Sequence, residues 1–162
     1  MNIANENLYF AYGSNLLERE VRKQAAGAVS RGVAFLPGYR FEFTKHSTTR
    51  RGDAASVQEE GGGKVWGYVY QMSDADKAKL VEREKGYLDI PVTVCFKDGE
   101  QFRDQRAFTF IGKKVCLKQC GPSQDYFELV LEGARQHEFP ATYIAEIEAR
   151  RRVLTAPSDP AT

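Results

Sequence analysis

The chain has 162 residues, with 23 Lys and Arg against 22 Asp and Glu, for a formal net charge of +1. A length of this order suits one domain that buries roughly 70% of its unfolded surface. Hydrophobic residues make up 42%, with 10 Phe and 8 Tyr among them, enough for a core and against global disorder. The balanced charge argues against a nucleic-acid binder working through a strong basic field, so no nucleic-acid partner is expected.

Met1 to Asn7 is polar and lacks the basic and apolar regions of a secretory leader. No stretch reaches the roughly 18–20 apolar residues that span a bilayer, so no membrane association is expected. The three cysteines, Cys95, Cys116 and Cys120, are an odd count that suits free thiols in a reducing compartment. The expected location is cytoplasmic. Cys116, Cys120 and His137 lack the fourth ligand of a zinc site, and no metal is expected.

Leu8 to Tyr12 reads as a short aromatic strand ended by Gly13-Ser14-Asn15. Leu16 to Lys23 then reads as a helix, acidic early and basic late, with Ser14 or Asn15 as its N-cap. Gly27 to Phe35 and Tyr39 to Phe43 read as two strands joined at Pro37-Gly38. His46 to Gly52 is polar and basic and reads as a loop. Ala55 to Gln58 is a weak strand, followed by Gly61-Gly62-Gly63. Lys64 to Met72 carries apolar bulk on both faces, which predicts a central strand.

Ser73 caps a helix that should run to about Glu84 and stop near Gly86, with Asp76 completing a variant capping box. Pro91 to Phe96 and Gln101 to Ile111 read as strands joined by a hairpin turn at Lys97-Asp98-Gly99. Pro122-Ser123 opens a helix through about His137, and Pro140 opens another through about Arg152. The pattern predicts one α+β domain over residues 1–154 with a frayed tail over 155–162.

The segment Tyr9-Phe10-Ala11-Tyr12-Gly13-Ser14-Asn15-Leu16 carries the chemistry. A strand that turns sharply into a helix exposes backbone N–H groups, which suit a carboxylate or a developing oxyanion. Gly13 lets a ligand approach the backbone closely. This segment resembles the N-terminal signature of the γ-glutamylcyclotransferase (AIG2-like) family, in which Y-G-S-N-L follows a hydrophobic strand. The resemblance continues in order over about residues 8–150. Val65-Trp66-Gly67-Tyr68-Val69-Tyr70 is similar to the family's V-W-G-x-V strand. Leu80-Val81-Glu82-Arg83-Glu84 resembles the helix that ends in the family's catalytic Glu. Pro122-Ser123-Gln124-Asp125-Tyr126 opens the helix whose Tyr contacts substrate. Phe139-Pro140-Ala141-Thr142-Tyr143 resembles the start of the last helix.

Two carboxylates compete for the catalytic role. Glu82 and Glu84 point about 160° apart on a helix, so at most one faces the core side. Leu80, Val81 and Glu84 share a sector, which also holds Lys77, while Glu82 lies beside Ala75 and Ala78. The family motif independently selects Glu84.

The resemblance implies a small mixed β-barrel of about six strands with flanking helices. It implies a cyclotransferase that converts the γ-glutamyl group of a γ-glutamyl amino acid or amine to 5-oxoproline, with no cofactor. Glu84 would be the base, and Tyr12, Gly13, Ser14, Asn15, Leu16 and Tyr126 would bind substrate. A carboxylate of raised pKa in a partly apolar pocket suits removal of a proton from an amine. Two departures stand out. The family's Tyr before the next strand corresponds to about Pro91 here, with Tyr87 earlier. The strand Ala107-Phe108-Thr109-Phe110 has Phe where some relatives carry a pocket Tyr. The His46–Arg51 loop is either a solvated loop or a rim that attracts an anionic substrate.

Other readings stay open. One is a non-catalytic small-molecule binding or regulatory module of the same fold; another is a γ-glutamyl deprotecting enzyme in a biosynthetic pathway. Either a monomer or a homodimer is compatible with the sequence.

Overall fold

The computed structural model describes residues 6–47, 52–112 and 121–155. Five strands close into a barrel in the order β1-β3-β2-β4-β5. They are β1 (Glu6–Ala11), β2 (Val29–Ser47), β3 (Gly52–Ser73), β4 (Tyr87–Asp98) and β5 (Gln101–Gly112). Neighbours pair antiparallel except β1 with β5, which meet in parallel at Tyr9 and Phe108 and close the barrel. The helices are α1 (Glu18–Val21), α2 (Asp74–Arg83), α3 (Gln124–Gln136) and α4 (Ala141–Thr155).

The expected α+β barrel is present, with five strands among the described residues where about six were expected. The two segments on either side of Pro37-Gly38 form one strand, and so do the two on either side of the glycine run. β2 and β3 make one long hairpin, whose register shifts between Pro37, opposite Lys64, and Tyr39, opposite Glu59. Gly38 and Gly62 stand at this corner with φ of 83° and 81°. The corner bends the ladder without ending it, so glycines that read as strand breaks are bulge residues. His46 and Ser47 belong to β2 and Gly52 to β3, which corrects the loop expected there. The loop's remaining residues, 48–51, lie outside the described residues, as do Cys116, Cys120 and 156–162.

The expected helix after Gly13 is also shorter. Ser14–Leu16 forms a 3-10 turn, and the α-helix covers only Glu18–Val21. Neither Ser14 nor Asn15 caps it: the N-cap is Leu17, with no side-chain hydrogen bond. The other helices start as read. The Ser73 hydroxyl accepts from the Asp76 N–H, and the Ser123 hydroxyl accepts from the Tyr126 N–H.

β1 divides the core by its two-residue alternation. Phe10 joins Val65, Val69, Phe41 and Phe43 inside one cluster. Tyr9 and Ala11 join Tyr70, Met72, Leu80, Phe108 and Phe110 in a second. β3 is central here, as its two apolar faces predicted, with β2 on one side and β1 on the other. Gly67 permits that closeness, because a Cβ there would lie 2.4 Å from the Ala11 carbonyl oxygen. The exit of β1, and so the turn that follows it, is thereby fixed beside the barrel mouth.

Candidate active site

A small cleft opens at one end of the barrel. Its walls are Tyr9, Tyr12, Gly13, Ser14, Asn15, Ala55, Glu84, Tyr87, Phe110 and Tyr126. β1 and its turn supply the first five, β3 supplies Ala55, and α3 supplies Tyr126 from its first turn. Glu84 follows the last residue of α2, and Tyr87 begins β4. Elements far apart in sequence thus converge on one space.

Five of the six residues expected to bind substrate, Tyr12, Gly13, Ser14, Asn15 and Tyr126, are brought together with Glu84. Leu16 is the exception. Its N–H bonds to the Gly13 carbonyl at 3.1 Å, and its side chain is buried in the barrel core. That N–H is spent inside the 3-10 turn, which corrects the expectation of a donor at this position.

The choice between Glu82 and Glu84 follows helix geometry. Leu80 is fully buried, Val81 and Glu84 are half-buried, and Glu82 is exposed. Glu84 is the C-cap of α2, with φ −86° and ψ 55°, and its N–H bonds to the Leu80 carbonyl at 3.0 Å. Leaving the helix turns its side chain to the cleft. Lys77, on the same helical sector, lays its ammonium 4.4 Å from the centre of the Phe108 ring. Its stem covers apolar surface and its charge meets an aromatic face, so a lysine fits on the buried side.

The tyrosines are held by hydrogen bonds. Tyr87 Oη donates to the Ala55 carbonyl at 2.7 Å, and Tyr126 Oη accepts from the Ala55 N–H at 3.0 Å. Ala55 pairs across the hairpin with Phe43. The opposite edge of β3 has no strand partner at this point among the described residues, so the two hydroxyls satisfy a backbone that would otherwise be orphaned. Two residues earlier on the same edge, the Asp53 N–H bonds to the Gly121 carbonyl at 2.6 Å, and the Gly121 N–H bonds to Asp53 Oδ2 at 2.9 Å. Tyr12 Oη donates to the Phe110 carbonyl, and Asn15 Nδ2 donates to Tyr9 Oη at 3.1 Å.

Burial raises the hydroxyl pKa of Tyr9, Tyr12 and Tyr87 well above the usual phenol range. The negative charge of Glu84 adds to the effect at all three. These hydroxyls stay protonated; those of Tyr12 and Tyr87 give their protons to backbone carbonyls, while Tyr9 accepts from Asn15. Among the described residues, Glu84 is the only charged one on the cleft wall. The wall therefore combines one carboxylate, neutral hydroxyls and aromatic faces. That set can orient a small polar molecule and exchange one proton with it.

Sequence reasoning left out Tyr9, Ala55 and Phe110 as wall residues and left Tyr87 open. Tyr9 was legible in part, because it stands at a strand end beside the signature. Ala55 carries no chemical signal, since it contributes only backbone. Tyr87 reaches the cleft because β4 starts at Tyr87 and not at Pro91. Among the described residues no cluster of His, Cys, Asp and Glu could hold a metal ion. No helix of the described residues is long and apolar enough to cross a membrane.

An α+β barrel with a carboxylate, a tyrosine-lined cleft and a glycine turn at its mouth presents a site for a small polar molecule. The AIG2-like family model matches residues 64–147. The γ-glutamylcyclotransferase of Bos taurus is 30% identical over 145 residues, which is 84% of this chain and 74% of the bovine protein. The Homo sapiens γ-glutamylcyclotransferase is 29% identical over 150 residues, covering 88% of this chain and 77% of the human one. A solved γ-glutamyl cyclotransferase structure superposes with a TM-score of 0.79 at 27% identity, covering 89% of this chain and 87% of that one. The chain belongs to the γ-glutamylcyclotransferase, or AIG2-like, family.

Proposed function

We propose that this chain is a γ-glutamylcyclotransferase that releases 5-oxoproline from a γ-glutamyl amino acid or amine, with Glu84 as the proton-transfer base. The observation that carries the reading is the convergence of Glu84 with Gly13, Ser14 and Asn15 on one cleft. The bovine and human relatives that bear this name support the activity.

The reaction is an internal acyl transfer. The α-amine of the γ-glutamyl group attacks its own γ-carbonyl carbon. A new C–N bond closes the five-membered lactam, and the original amide C–N bond breaks. Glu84 takes the proton that the attacking amine must lose and returns it to the departing nitrogen. The attack is intramolecular, so folding the substrate chain into attack geometry supplies much of the rate. The donors at Gly13 to Asn15 and the Tyr126 hydroxyl hold the substrate's polar ends. The negative oxygen that develops on the γ-carbonyl needs such donors fixed in advance. Leu16 contributes no contact of this kind. The chemistry moves one proton and one acyl group, so the reading includes no cofactor.

As a cytoplasmic single-domain enzyme, the chain would act on small zwitterions, in keeping with its balanced charge. The test is 5-oxoproline release from a panel of γ-glutamyl compounds by the wild type and Glu84→Gln. The wild type should turn over at least one compound. Glu84→Gln should keep the fold and lose roughly 10²–10⁴ in kcat, the usual scale for a positioned acid or base. Near wild-type release by Glu84→Gln would sink the assignment. No release by the wild type from any of the panel would favour a binding module of the same fold.

A further inference from the structure

We infer that His137 is a positioning residue for the cleft, fixing the turn that carries Gly13, Ser14 and Asn15 through a hydrogen bond to the Leu16 carbonyl. The inference rests on reading the cleft as the γ-glutamyl site. Its structural half is independent of any activity.

The turn needs outside support. It contains two backbone hydrogen bonds, from the Leu16 N–H to the Gly13 carbonyl and from the Leu17 N–H to the Ser14 carbonyl, both 3.1 Å. Its N-cap has no side-chain hydrogen bond. A single turn of this kind does not hold itself together in water, because few bonds offset the fixed backbone. Two side chains, the half-buried His137 and the buried Tyr70, meet its last carbonyl. His137 Nε2 lies 2.7 Å from the Leu16 oxygen, and the Tyr70 hydroxyl donates to the same oxygen at 3.0 Å. A carbonyl oxygen only accepts, so Nε2 carries the proton. Both lone pairs of that oxygen are then used.

His137 is itself rigidly held. Its ring stacks on Tyr68, with centroids 4.0 Å apart and planes 16° apart. It is the C-cap of α3, and the chain reverses directly after it with Glu138 at φ 58°. The Glu138 N–H bonds to the Arg135 carbonyl and the Phe139 N–H to the Ala134 carbonyl, at 3.0 and 3.1 Å. These are the two bonds of a Schellman motif. Tyr126 stands in the first turn of the same helix and forms part of the opposite cleft wall. One rigid helix therefore sets both the Tyr126 wall and, through His137, the glycine turn facing it. The spacing between the two walls is the quantity His137 controls.

Two variants test this. His137→Phe keeps the aromatic stack on Tyr68 and removes the donor. His137→Gln removes the ring and retains an N–H at the Nε2 position. Hydrogen exchange at the Leu16 and Leu17 amides reads the turn directly. Steady-state kinetics on a γ-glutamyl compound that the wild type cyclises reads its effect.

His137→Phe should speed exchange at both amides by about tenfold or more. It should also lower kcat by about tenfold or more with a smaller change in KM, because misplaced transition-state donors cost rate. His137→Gln should recover most of both losses. Wild-type exchange and kcat in His137→Phe would overturn the inference, and so would a His137→Gln as impaired as His137→Phe. If the wild type releases no 5-oxoproline at all, the functional reading fails, and amide exchange alone still decides whether His137 holds the turn.

Discussion

The Tyr126 hydroxyl stands 3.0 Å from the point where a Cβ on Gly13 would fall, and the Ala55 Cβ stands 3.2 Å from it. The glycine of the signature turn is thus set by the width of the cleft. A methyl group at this position would occupy the gap between the turn and the α3 wall.

Gly13→Ala should therefore impair substrate entry more than folding. Crowding of this size costs about 1–3 kcal/mol when the neighbours must move. Both neighbours line the cleft. The expected outcome is a modest fall in melting temperature together with a rise in KM and a kcat/KM lowered by about tenfold or more, on the scale that small misplacements cost. Unchanged kinetics on γ-glutamyl substrates would show that the turn does not border the bound molecule.

Tyr126→Phe and Tyr87→Phe separate the two halves of the Ala55 clamp. Each leaves one backbone group of a buried residue without its partner, at a cost of about 1–3 kcal/mol. Unpaired buried N–H groups are rarer in folded proteins than under-satisfied carbonyls. Tyr126→Phe, which strands the Ala55 N–H, should thus be the more destabilising of the two in urea unfolding. Equal and negligible losses would mean that the hydroxyls serve the ligand alone.

Alkaline pH should weaken the fold through the cleft tyrosines. Burial, with help from the Glu84 charge, holds Tyr9, Tyr12 and Tyr87 protonated in the folded state. In the unfolded chain they ionise near pH 10. Above that pH the unfolded state binds fewer protons than the folded one, so stability falls as pH rises. The stabilising contribution is complete below about pH 10 and is lost progressively above it. Urea midpoints measured between pH 9 and 11 should decline, and phenolate absorbance should show these three groups ionising only with unfolding. Titration of all tyrosines near pH 10 in the folded protein would contradict the burial.

How much of this was legible in the sequence varies by residue. The strand β1, the turn at Gly13, the Ser73 and Ser123 caps and the hairpin at Gly99 all follow from short-range chemistry. Glu84 was separable from Glu82 by helical phase, because Leu80 and Val81 mark the buried side. Lys77 shares that side because its ammonium lies over the Phe108 ring. The glycines at the β2–β3 corner misled, since a bulge and a strand end use the same residue. The helix-forming composition after Gly13 does not show that the chain makes a 3-10 turn first and that Leu17, extended and buried, precedes the α-helix.

The sequence by itself determined the caps at Ser73 and Ser123, the turn between β4 and β5, the family and the charged residue at the end of α2. Each depends on neighbours within a few positions, or on motifs kept in order along the chain. Only the tertiary structure decided which residues share the cleft. Ala55 enters through a strand edge met by the Tyr126 and Tyr87 hydroxyls, Tyr87 through the register of β4 against β5, and His137 through the carbonyl of Leu16, far away in sequence. Those contacts depend on barrel closure, and closure sums many long-range pairings that no local pattern carries.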